Sequence, residues 1–282
     1  MIKIEQIIRL ALEEDLGDGD HTSLACISEA AEGTATLYSK DNGILAGVEI
    51  AKKVFSLIDS NLFFEVIKMD GAEIKKGDVI FKISGKAQSI LHAERLVLNY
   101  MQRMSGIATE TNKYSNLISD YSTQILDTRK TTPNMRYFEK MAVSIGGGTN
   151  HRYGLFDMIM IKDNHIDFAG GIEKAINRVN EYLIKKNKNL KIEIEVRDFK
   201  ELDKVLEVGK IHRIMLDNFT PEETKKAVDI IGGRYEIESS GGISYETIKD
   251  YAKCGVDFIS VGALTHQIKS LDMSLLVADS IE

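Results

Sequence analysis

The pattern of apolar and polar positions predicts two kinds of structure that meet near residue 124. Apolar residues between 4 and 11 recur at the spacing of one helix face, and this helix is predicted to end at Leu16-Gly17. Short strands, glycine turns and one short helix alternate through 33–86, which is typical of a compact α+β module. The segment 88–118 has helical periodicity, with a predicted interruption near Ser105-Gly106.

From residue 124 onward, apolar strands alternate with amphipathic runs of helical length. The strands read QILD, DMIMI, KIEIEV, RIMLD, RYEIE and VDFISV, and the helices include GIEKAINRVNEYLIKK, ELDKVLEVG and PEETKKAVDII. Strands that alternate with helices at this spacing predict a parallel sheet, either open or closed. Because the unit recurs about six times, we expect a TIM-like α/β barrel.

Composition narrows the class of protein without identifying a function. The 282 residues are 43% hydrophobic, enough for one large domain or two smaller ones, and the net charge of −7 argues against a nucleic-acid or anionic-membrane surface. Cys26 and Cys254 are the two cysteines, without a CxxC motif, so a disulfide scaffold is not expected and a reducing compartment fits. The N-terminus turns acidic too early for a secretory signal, and apolar runs are too short to span a membrane. We therefore expect a cytoplasmic protein.

Polar residues follow nearly every predicted barrel strand. They are Asp127, Arg129 and Lys130 after QIL; Lys162, Asp163, Asn164 and His165 after DMIMI; Glu195 at the exit of IEIEV; Asp217 and Asn218 after IML; residues 238–242 after YEI; and residues 262–266 after FISV. Ligands of parallel α/β folds bind at the carboxyl ends of the strands. The sequence therefore predicts one ligand site at this edge of the sheet.

Two of these strand exits suit a phosphate group. SSGGIS precedes a helix predicted to begin near Ser244, and VGALTH precedes another short helical turn. Glycines let backbone N–H groups approach an anion, and the start of a helix adds a positive dipole end. SSGG by itself is equally consistent with a simple tight turn, but the tandem pair of loops favours phosphate.

Positive charge is concentrated between residues 127 and 165, where six cations face four anions in a chain that is acidic overall. This local excess predicts a small polyanionic ligand. His151 and Arg152 follow three glycines in SIGGGTNHRYG, a pattern that predicts a mobile or closely approached loop. The alternative interpretation is a simple turn with a solvated arginine. Arg136 and Lys140, in the helical run MRYFEK, are interpreted as ordinary surface charges.

Glu195 and Asp217 supply negative charge beside the predicted phosphate site. A carboxylate near the end of an apolar strand, beside a phosphate site, is a natural ligand for Mg²⁺. The alternative is that they form ion pairs with a neighbouring lysine. His21 and His92 are interpreted as structural, and DLGDGD is interpreted as a turn because it lacks EF-hand spacing.

The ordered set of motifs is specific enough to indicate a family. TRKTTP, GGGTNHRYGL, IKDNHI, IEIEV, MLDNF, SSGGI and SVGALTH, preceded by EDLGDGDHTS and HAERLVLNYMQRMSGIAT, together resemble the quinolinate phosphoribosyltransferases, also called carboxylating nicotinate-nucleotide pyrophosphorylases. The resemblance covers nearly the whole chain. Asn134 departs from the glycine that members often carry after TRKTTP, but asparagine also tolerates unusual backbone angles.

The resemblance implies a fold and an assembly. It implies an N-terminal α/β sandwich over 1–104, to which a tail over 267–282 returns, and an incomplete α/β barrel over 105–266. It also implies a homodimer or a trimer of dimers in which each active site is completed by the partner subunit.

The resemblance implies a pentosyltransferase activity as well. Quinolinate and phosphoribosyl pyrophosphate would give nicotinate mononucleotide, pyrophosphate and CO₂, with Mg²⁺ as the cofactor and no nucleic-acid or membrane partner. This is a step of de novo NAD biosynthesis.

Specific residues take roles from the same resemblance. Those implied to bind quinolinate are Thr128, Arg129, His151, Arg152 and Lys162, with Arg95 from the partner subunit. Those implied to bind phosphate are Lys130, Ser240, Gly241, Gly242, Gly262, Ala263 and Leu264. Lys130, Glu195 and Asp217 are implied to act in catalysis, with Glu195 and Asp217 holding the metal or the ribose hydroxyls.

Two other functions fit parts of the sequence. A paralogue of the same fold could act on another ring acid or a nucleobase, although a substrate with one acid group would need fewer cations. IKKGDVIFKISG resembles biotinyl- or lipoyl-carrier modules, which would make 33–86 a carrier domain. The usual Met-Lys hairpin tip is missing there, so shared strand architecture is the preferred interpretation.

Overall fold

The computed structural model describes residues 4–277. The first part of the chain contains α1 Ile4–Leu16, α2 His21–Cys26, β1 Glu32–Ser39, β2 Gly43–Ile44, α3 Val48–Ile58, β3 Phe63–Val66, β4 Glu73–Ile74, β5 Val79–Lys86 and α4 Ala87–Leu117. The rest contains β6 Gln124–Leu126, α5 Arg136–Ile145, β7 Ile159–Ile161, α6 Asp163–Ala169, α7 Ile172–Lys185, β8 Ile192–Val196, α8 Phe199–Val208, β9 Arg213–Asp217, α9 Pro221–Ile231, β10 Glu236–Ser240, α10 Ile248–Lys253, β11 Phe258–Ser260, α11 Ala263–His266 and β12 Met273–Val277.

These elements form two compact units. The first comprises the described residues up to 112, together with 131–147 and those from 264 onward, and the second comprises 113–130 and 148–263. The predicted domain boundaries at 104/105 and 266/267 stay predictions, and the part of the tail beyond residue 277 lies outside the described residues. The fold class is the predicted one, an N-terminal sheet domain and an incomplete TIM-like α/β barrel.

The first unit is built on a four-stranded antiparallel sheet in the order β12-β1-β5-β3. Alternating side chains of β1 and β5 pack inward, so that Leu37 and Phe81 are fully buried. Phe81 meets Phe64 at 4.4 Å and Phe55 of α3 at 6.0 Å between ring centroids. The core of this unit is therefore apolar and rich in aromatic contacts.

Helix α4 is continuous through Ser105-Gly106, so the predicted interruption was wrong. The Ser105 hydroxyl donates to the carbonyl of Ala46 at 3.1 Å and accepts its N–H at 2.9 Å. A Cβ at Gly106 would lie 2.4 Å from the carbonyl oxygen of Lys269. These small residues allow other backbone segments to approach the helix closely, and they do not break it.

The first unit also contains a buried ion pair between Arg103 and Glu139. The Nε of Arg103 donates to the Oε1 of Glu139 at 2.8 Å, and Glu139 is fully buried. Arg103 Nη2 also donates to the Thr132 hydroxyl at 2.9 Å and to the Thr265 carbonyl at 3.1 Å. Lys140, beside Glu139 on α5, is buried too, so its interpretation as a surface charge was wrong. The helical pattern of MRYFEK was right, but it could not show how much of α5 the fold covers.

The second unit is built on a parallel sheet in the order β6-β11-β10-β9-β8-β7. Within the described residues β6 and β7 are the two ends of this order, so the barrel is not closed by strand pairing. The amphipathic helices α7, α8 and α9 contact one another in sequence along the sheet. Among residues 4–277, no helix combines the length and the apolar character needed to cross a membrane.

One face of this sheet is lined with charged residues arranged in rows. All five residues of β8 (IEIEV) are buried, and alternation places its isoleucines on one face and its glutamates on the other. The strand register aligns Glu193, Arg213 and Glu236 in one row and Glu195, Met215 and Glu238 in the next. A third row, nearest the strand exits, contains Asp217 and Ser240.

Candidate functional site

The exit of β6 is bonded to the segment that follows the three glycines. A parallel bridge joins Leu126 to Thr149, and the Asp127 N–H donates to the Thr149 carbonyl at 3.2 Å. The carboxylate of Asp127, which is fully buried, accepts the backbone N–H of His151 at 2.8 Å. Asp127 therefore fixes the position of the His151-Arg152 dipeptide beside the loop that contains Arg129.

Arg129 and Arg152 are electrostatic neighbours in the structure. Burial and then the Arg129 cation lower the pKa of Arg152. The Arg152 guanidinium donates weakly to the Met158 carbonyl at 3.4 Å. Arg152 also lines a mostly apolar cavity of about 350 Å³, which neither Arg129 nor Lys162 lines. Lys130, next to Arg129, is exposed, and its N–H donates to the Thr128 hydroxyl at 3.0 Å. Two guanidinium groups held this close favour a ligand with more than one negative charge.

Lys162 forms an ion pair with Glu195 across the exits of β7 and β8. Glu195 is buried, whereas 43% of the Lys162 side chain is exposed. The alternative prediction for Glu195, an ion pair with a neighbouring lysine, is therefore confirmed. The Lys162 backbone N–H donates to His165 Nδ1 at 2.9 Å at the start of α6, which fixes the residue's main chain at the strand exit.

At the exit of β9, Asp217 is the last residue of the strand and Asn218 follows it. The Asp217 carboxylate accepts a hydrogen bond from the Asn218 side chain at 2.8 Å, and the Asn218 N–H donates to the Ser240 carbonyl at 2.8 Å. Asn218 has a left-handed φ of 58°, which asparagine tolerates better than most residues. Asp217 lies one row nearer the strand exit than Glu195, because Glu195 is opposite Met215.

Glu195 and Asp217 fit a magnesium ion as a partial ligand set. They offer carboxylate oxygens from adjacent strands, and Mg²⁺ in phosphate-binding enzymes commonly takes one or two carboxylates and completes its shell with phosphate oxygens and water. No third carboxylate or histidine among the described residues joins them in a cluster of metal-ligating groups. A metal ion at Glu195 would share that carboxylate with Lys162.

In the first predicted phosphate loop, SSGGIS, the helix begins later than predicted. Gly241 and Gly242 have positive φ angles of 96° and 62°, and a Cβ at Gly241 would lie 2.1 Å from Asn218 Oδ1, so this turn requires glycine. The following helix, α10, begins at Ile248 and not near Ser244. Residues 244–247 form a turn closed by the Thr247 N–H, which donates to the Ser244 carbonyl at 3.2 Å, and this turn delays the helix.

The second predicted phosphate loop has the expected short helix. β11 ends at Ser260, and α11 begins at Ala263, directly after Gly262. The Leu264 side chain is fully buried, so Leu264 offers a ligand its backbone alone.

Sequence reasoning missed a buried cluster around His151. His151 Nε2 lies 3.0 Å from Glu193 Oε2 and 3.3 Å from Glu238 Oε2, and Arg213 Nη1 lies 3.2 Å from the same Glu238 oxygen. All four residues are buried. Glu238 was noted as a residue at a strand exit, but it was not assigned a role. The signal for Glu193 was present in IEIEV, since alternation places it on the same face as Glu195.

The cluster shifts the protonation of its members. Burial alone would lower the pKa of His151, but the contacts with Glu193 and Glu238 raise it to about 9. Burial and the neighbouring Glu238 raise the pKa of Glu193 to about 7. Although burial acts in the opposite direction, contact with His151 holds the pKa of Glu238 below its ordinary value.

The second ring nitrogen of His151 is engaged as well. Its Nδ1 accepts the backbone N–H of Arg152 at 2.6 Å. This hydrogen bond requires Nδ1 without a proton, whereas a pKa of about 9 favours a second proton that only Nδ1 can take. The hydrogen bond from the Arg152 amide therefore opposes the second proton, which the two carboxylates on the Nε2 side favour.

Arg95 lies exposed on α4, in the first unit. Asn99, one turn along, is also exposed, whereas Leu98 and Met101 are buried, so polar and core-facing residues lie on different faces of the helix.

Comparison with known proteins gives a consistent result over nearly the whole chain. Residues 20–105 match the family model for the quinolinate phosphoribosyl transferase N-terminal domain, and 107–276 match the model for the C-terminal domain. The chain is 46% identical to the chloroplastic carboxylating nicotinate-nucleotide pyrophosphorylase of Arabidopsis thaliana, covering 97% of this chain and 82% of the relative. It is 39% identical to the probable enzyme of Bacillus subtilis, covering 100% and 96% of the two chains. The solved nicotinate-nucleotide pyrophosphorylase from Francisella tularensis superposes with a TM-score of 0.89 at 41% identity, covering 98% of each chain.

Proposed function

Because the chain belongs to the quinolinate phosphoribosyltransferase family, we propose that it transfers the phosphoribosyl group of phosphoribosyl pyrophosphate to quinolinate. The pyridine nitrogen forms a bond to the anomeric carbon as the bond to pyrophosphate breaks. Loss of the 2-carboxylate as CO₂ leaves its electron pair on the ring carbon, which takes up a proton to give nicotinate mononucleotide.

The proximity of Arg129 and Arg152 carries this proposal. Burial and the Arg129 cation lower the pKa of Arg152, while Glu193 and Asp157 act in the opposite direction, so the two guanidinium groups lie within electrostatic reach of each other. Quinolinate has two carboxylates, so it matches this pair, and each arginine can bind a carboxylate through two N–H groups. Lys162 adds a third cation at the exit of the adjacent strand β7. Thr128 and His151 complete the proposed quinolinate site beside these cations.

The remaining site residues are assigned to the other substrate. Lys130 neutralises the pyrophosphate that leaves, and Ser240, Gly241, Gly242, Gly262, Ala263 and Leu264 surround the 5′-phosphate. Glu195 and Asp217 would hold Mg²⁺ or the ribose hydroxyls. When bound there, Mg²⁺ neutralises charge on the pyrophosphate. Both carboxylates also stabilise the positive character that develops on the sugar.

The assembly we propose is a homodimer or a trimer of dimers in the cytoplasm. Arg95 enters the active site of the partner subunit in this arrangement. An arginine exposed on a helix that otherwise packs into the core of its own unit supports this role.

A panel of substrates tests the proposed function. Purified protein is incubated with phosphoribosyl pyrophosphate, Mg²⁺ and either quinolinate, nicotinate or orotate. We expect mononucleotide and CO₂ in equal amounts from quinolinate alone. Product from nicotinate or orotate at a comparable rate would instead assign the chain to a paralogous activity.

A further inference from the structure

His151 is held from three sides within the barrel unit. Its backbone N–H donates to Asp127 at 2.8 Å, its Nε2 lies 3.0 Å from Glu193 and 3.3 Å from Glu238, and its Nδ1 accepts the N–H of Arg152 at 2.6 Å. The ring is buried, with 5% of its side chain exposed. Both nitrogens are thus directed at protein groups, so the ring can support its neighbour in addition to its predicted place in the quinolinate site.

Glu193 has few other contacts that could account for its position. It is fully buried, and neither carboxylate oxygen has a hydrogen bond of good geometry, so its principal close polar partner is the His151 ring. A buried carboxylate is costly to fold unless it is compensated. Buried charged groups that lower the stability of a fold commonly belong to a functional site.

Charge within the cluster balances without an additional ion. The carboxylates of Glu193 and Glu238 face the cation of Arg213 and the ring of His151, and Glu238 Oε2 already contacts both Arg213 and His151. The ligand atoms of His151, Glu193 and Glu238 lie within 4.8 Å of one another, close enough to hold a metal ion. A divalent cation there would have to compete with the guanidinium for the same oxygen, so we favour an ion-pair network.

We propose that Glu193 and Glu238 are positioning residues that hold the His151 ring from inside the barrel and thereby set the place of Arg152 in the quinolinate site. Naming quinolinate as the ligand rests on the proposed function. The positioning itself rests on contacts within one chain. The Leu126–Thr149 bridge and the Asp127 carboxylate fix the backbone before Arg152, and the two glutamates add a hold on the His151 side chain.

The first experiment measures quinolinate binding by calorimetry, in the absence of the second substrate, for Glu193→Gln and Glu238→Gln. Glutamine keeps the shape and removes the charge. We expect the Kd for quinolinate to rise roughly 10- to 100-fold, as misplacement of a binding group by about 1 Å does. Glu236→Gln is the matched control, because Glu236 is on the same strand as Glu238 and pairs with the same Arg213 but does not contact His151. It should bind quinolinate like the wild type.

A double-mutant cycle separates positioning from a general loss of structure. Arg152→Lys weakens the site while leaving measurable binding. If Glu193 acts through Arg152, adding Glu193→Gln to this variant should change the Kd less than twofold, whereas independent effects would multiply. Multiplicative effects, or wild-type binding by both glutamine variants, would overturn the proposal.

Two readouts do not depend on the identity of the substrate. The ¹⁵N signals of the His151 ring and of the Arg152 amide should move in Glu193→Gln and Glu238→Gln but not in Glu236→Gln. Wild-type protein that does not bind quinolinate would refute the proposed function, while these signals would still decide the positioning. Unmoved signals, or one equivalent of tightly bound metal whose removal by a chelator reproduces the glutamine variants, would overturn the network.

Discussion

The two units of this protein differ in what their sheets bury. In the first unit the inner side chains of β1 and β5 are apolar, and Phe55, Phe64 and Phe81 meet ring to ring. In the second unit the parallel sheet buries rows of charge that include Glu193, Glu195 and Arg213. Apolar burial yields stability in proportion to area, whereas buried charge requires partners and seldom stabilises a fold. Substitutions in the first unit should therefore mainly change stability, and those in the second should mainly change ligand binding.

The largest expected effect concerns the ion pair between Arg103 and Glu139, which is buried in the first unit, whose core is mostly apolar. Arg103→Met leaves Glu139 buried without its guanidinium, so the free energy of unfolding should fall by about 3–5 kcal/mol. Chemical denaturation measures this loss. The double variant Arg103→Met/Glu139→Leu removes both charges and should recover most of it. No recovery would mean that Arg103 matters chiefly for its contacts with Thr132 and Thr265.

The next effect concerns the cations of the second unit. Arg129→Ala and Lys162→Ala should each weaken quinolinate binding by about 1.5–3 kcal/mol, the size of a hydrogen bond to a charged group. The free energy of unfolding should change less in Arg129→Ala than in Lys162→Ala, because Lys162→Ala leaves the buried Glu195 without its lysine. Steady-state kinetics with quinolinate varied checks the first statement, and thermal denaturation checks the second. Wild-type kinetics for both variants would show that these residues do not bind the substrate.

A smaller effect is a pH dependence of stability that arises from His151. Its pKa is raised to about 9 in the folded protein, from about 6.5 in an unfolded chain. The folded state therefore gains stability that is fully present below about pH 6.5 and is lost as the pH rises toward 9. Glu193 and Glu238 face the ring and favour its proton, whereas the Arg152 amide opposes it.

The measurement compares unfolding of the wild type and His151→Gln from pH 6 to pH 9.5. Their difference in stability should shrink with rising pH, by on the order of 1–2 kcal/mol. His21→Gln is the control, because His21 is exposed. A difference that stays constant with pH would show that His151 remains neutral in the folded protein.

The smallest signal expected is a partial return of activity, which would break the comparison between the units because it gives a residue of the first unit a role in binding. With quinolinate near the wild-type KM, Arg95→Ala and Lys162→Ala should each be nearly inactive. After reversible dissociation and random exchange, half of the dimers are mixed and contain one intact site, so roughly a quarter of wild-type activity should return. Unmixed samples of each variant serve as controls. If Arg95 acts in its own subunit, no activity returns; if it is a surface charge, Arg95→Ala is active from the start.

Much of the fold followed from local patterns in the sequence. Every predicted barrel strand is present, because short apolar runs between turn signals require little tertiary information. The boundaries were less certain: RYEIE was expected to end at Glu238, but β10 continues to Ser240, and α10 begins at Ile248. The roles of the predicted site residues stay predictions, although the structure brings Arg129 near Arg152 and pairs Lys162 with Glu195.

The sequence by itself determined the alternation of strands and helices, the polar strand exits and the ordered motifs, because each depends on neighbours in the chain. Only the tertiary structure decided which charges meet. Glu193 and Glu238 reach His151 because β8, β9 and β10 pair in one register, and a shift of one residue would turn their side chains to the opposite face. Contacts between residues more than 40 positions apart depend on that register, and no local pattern encodes them.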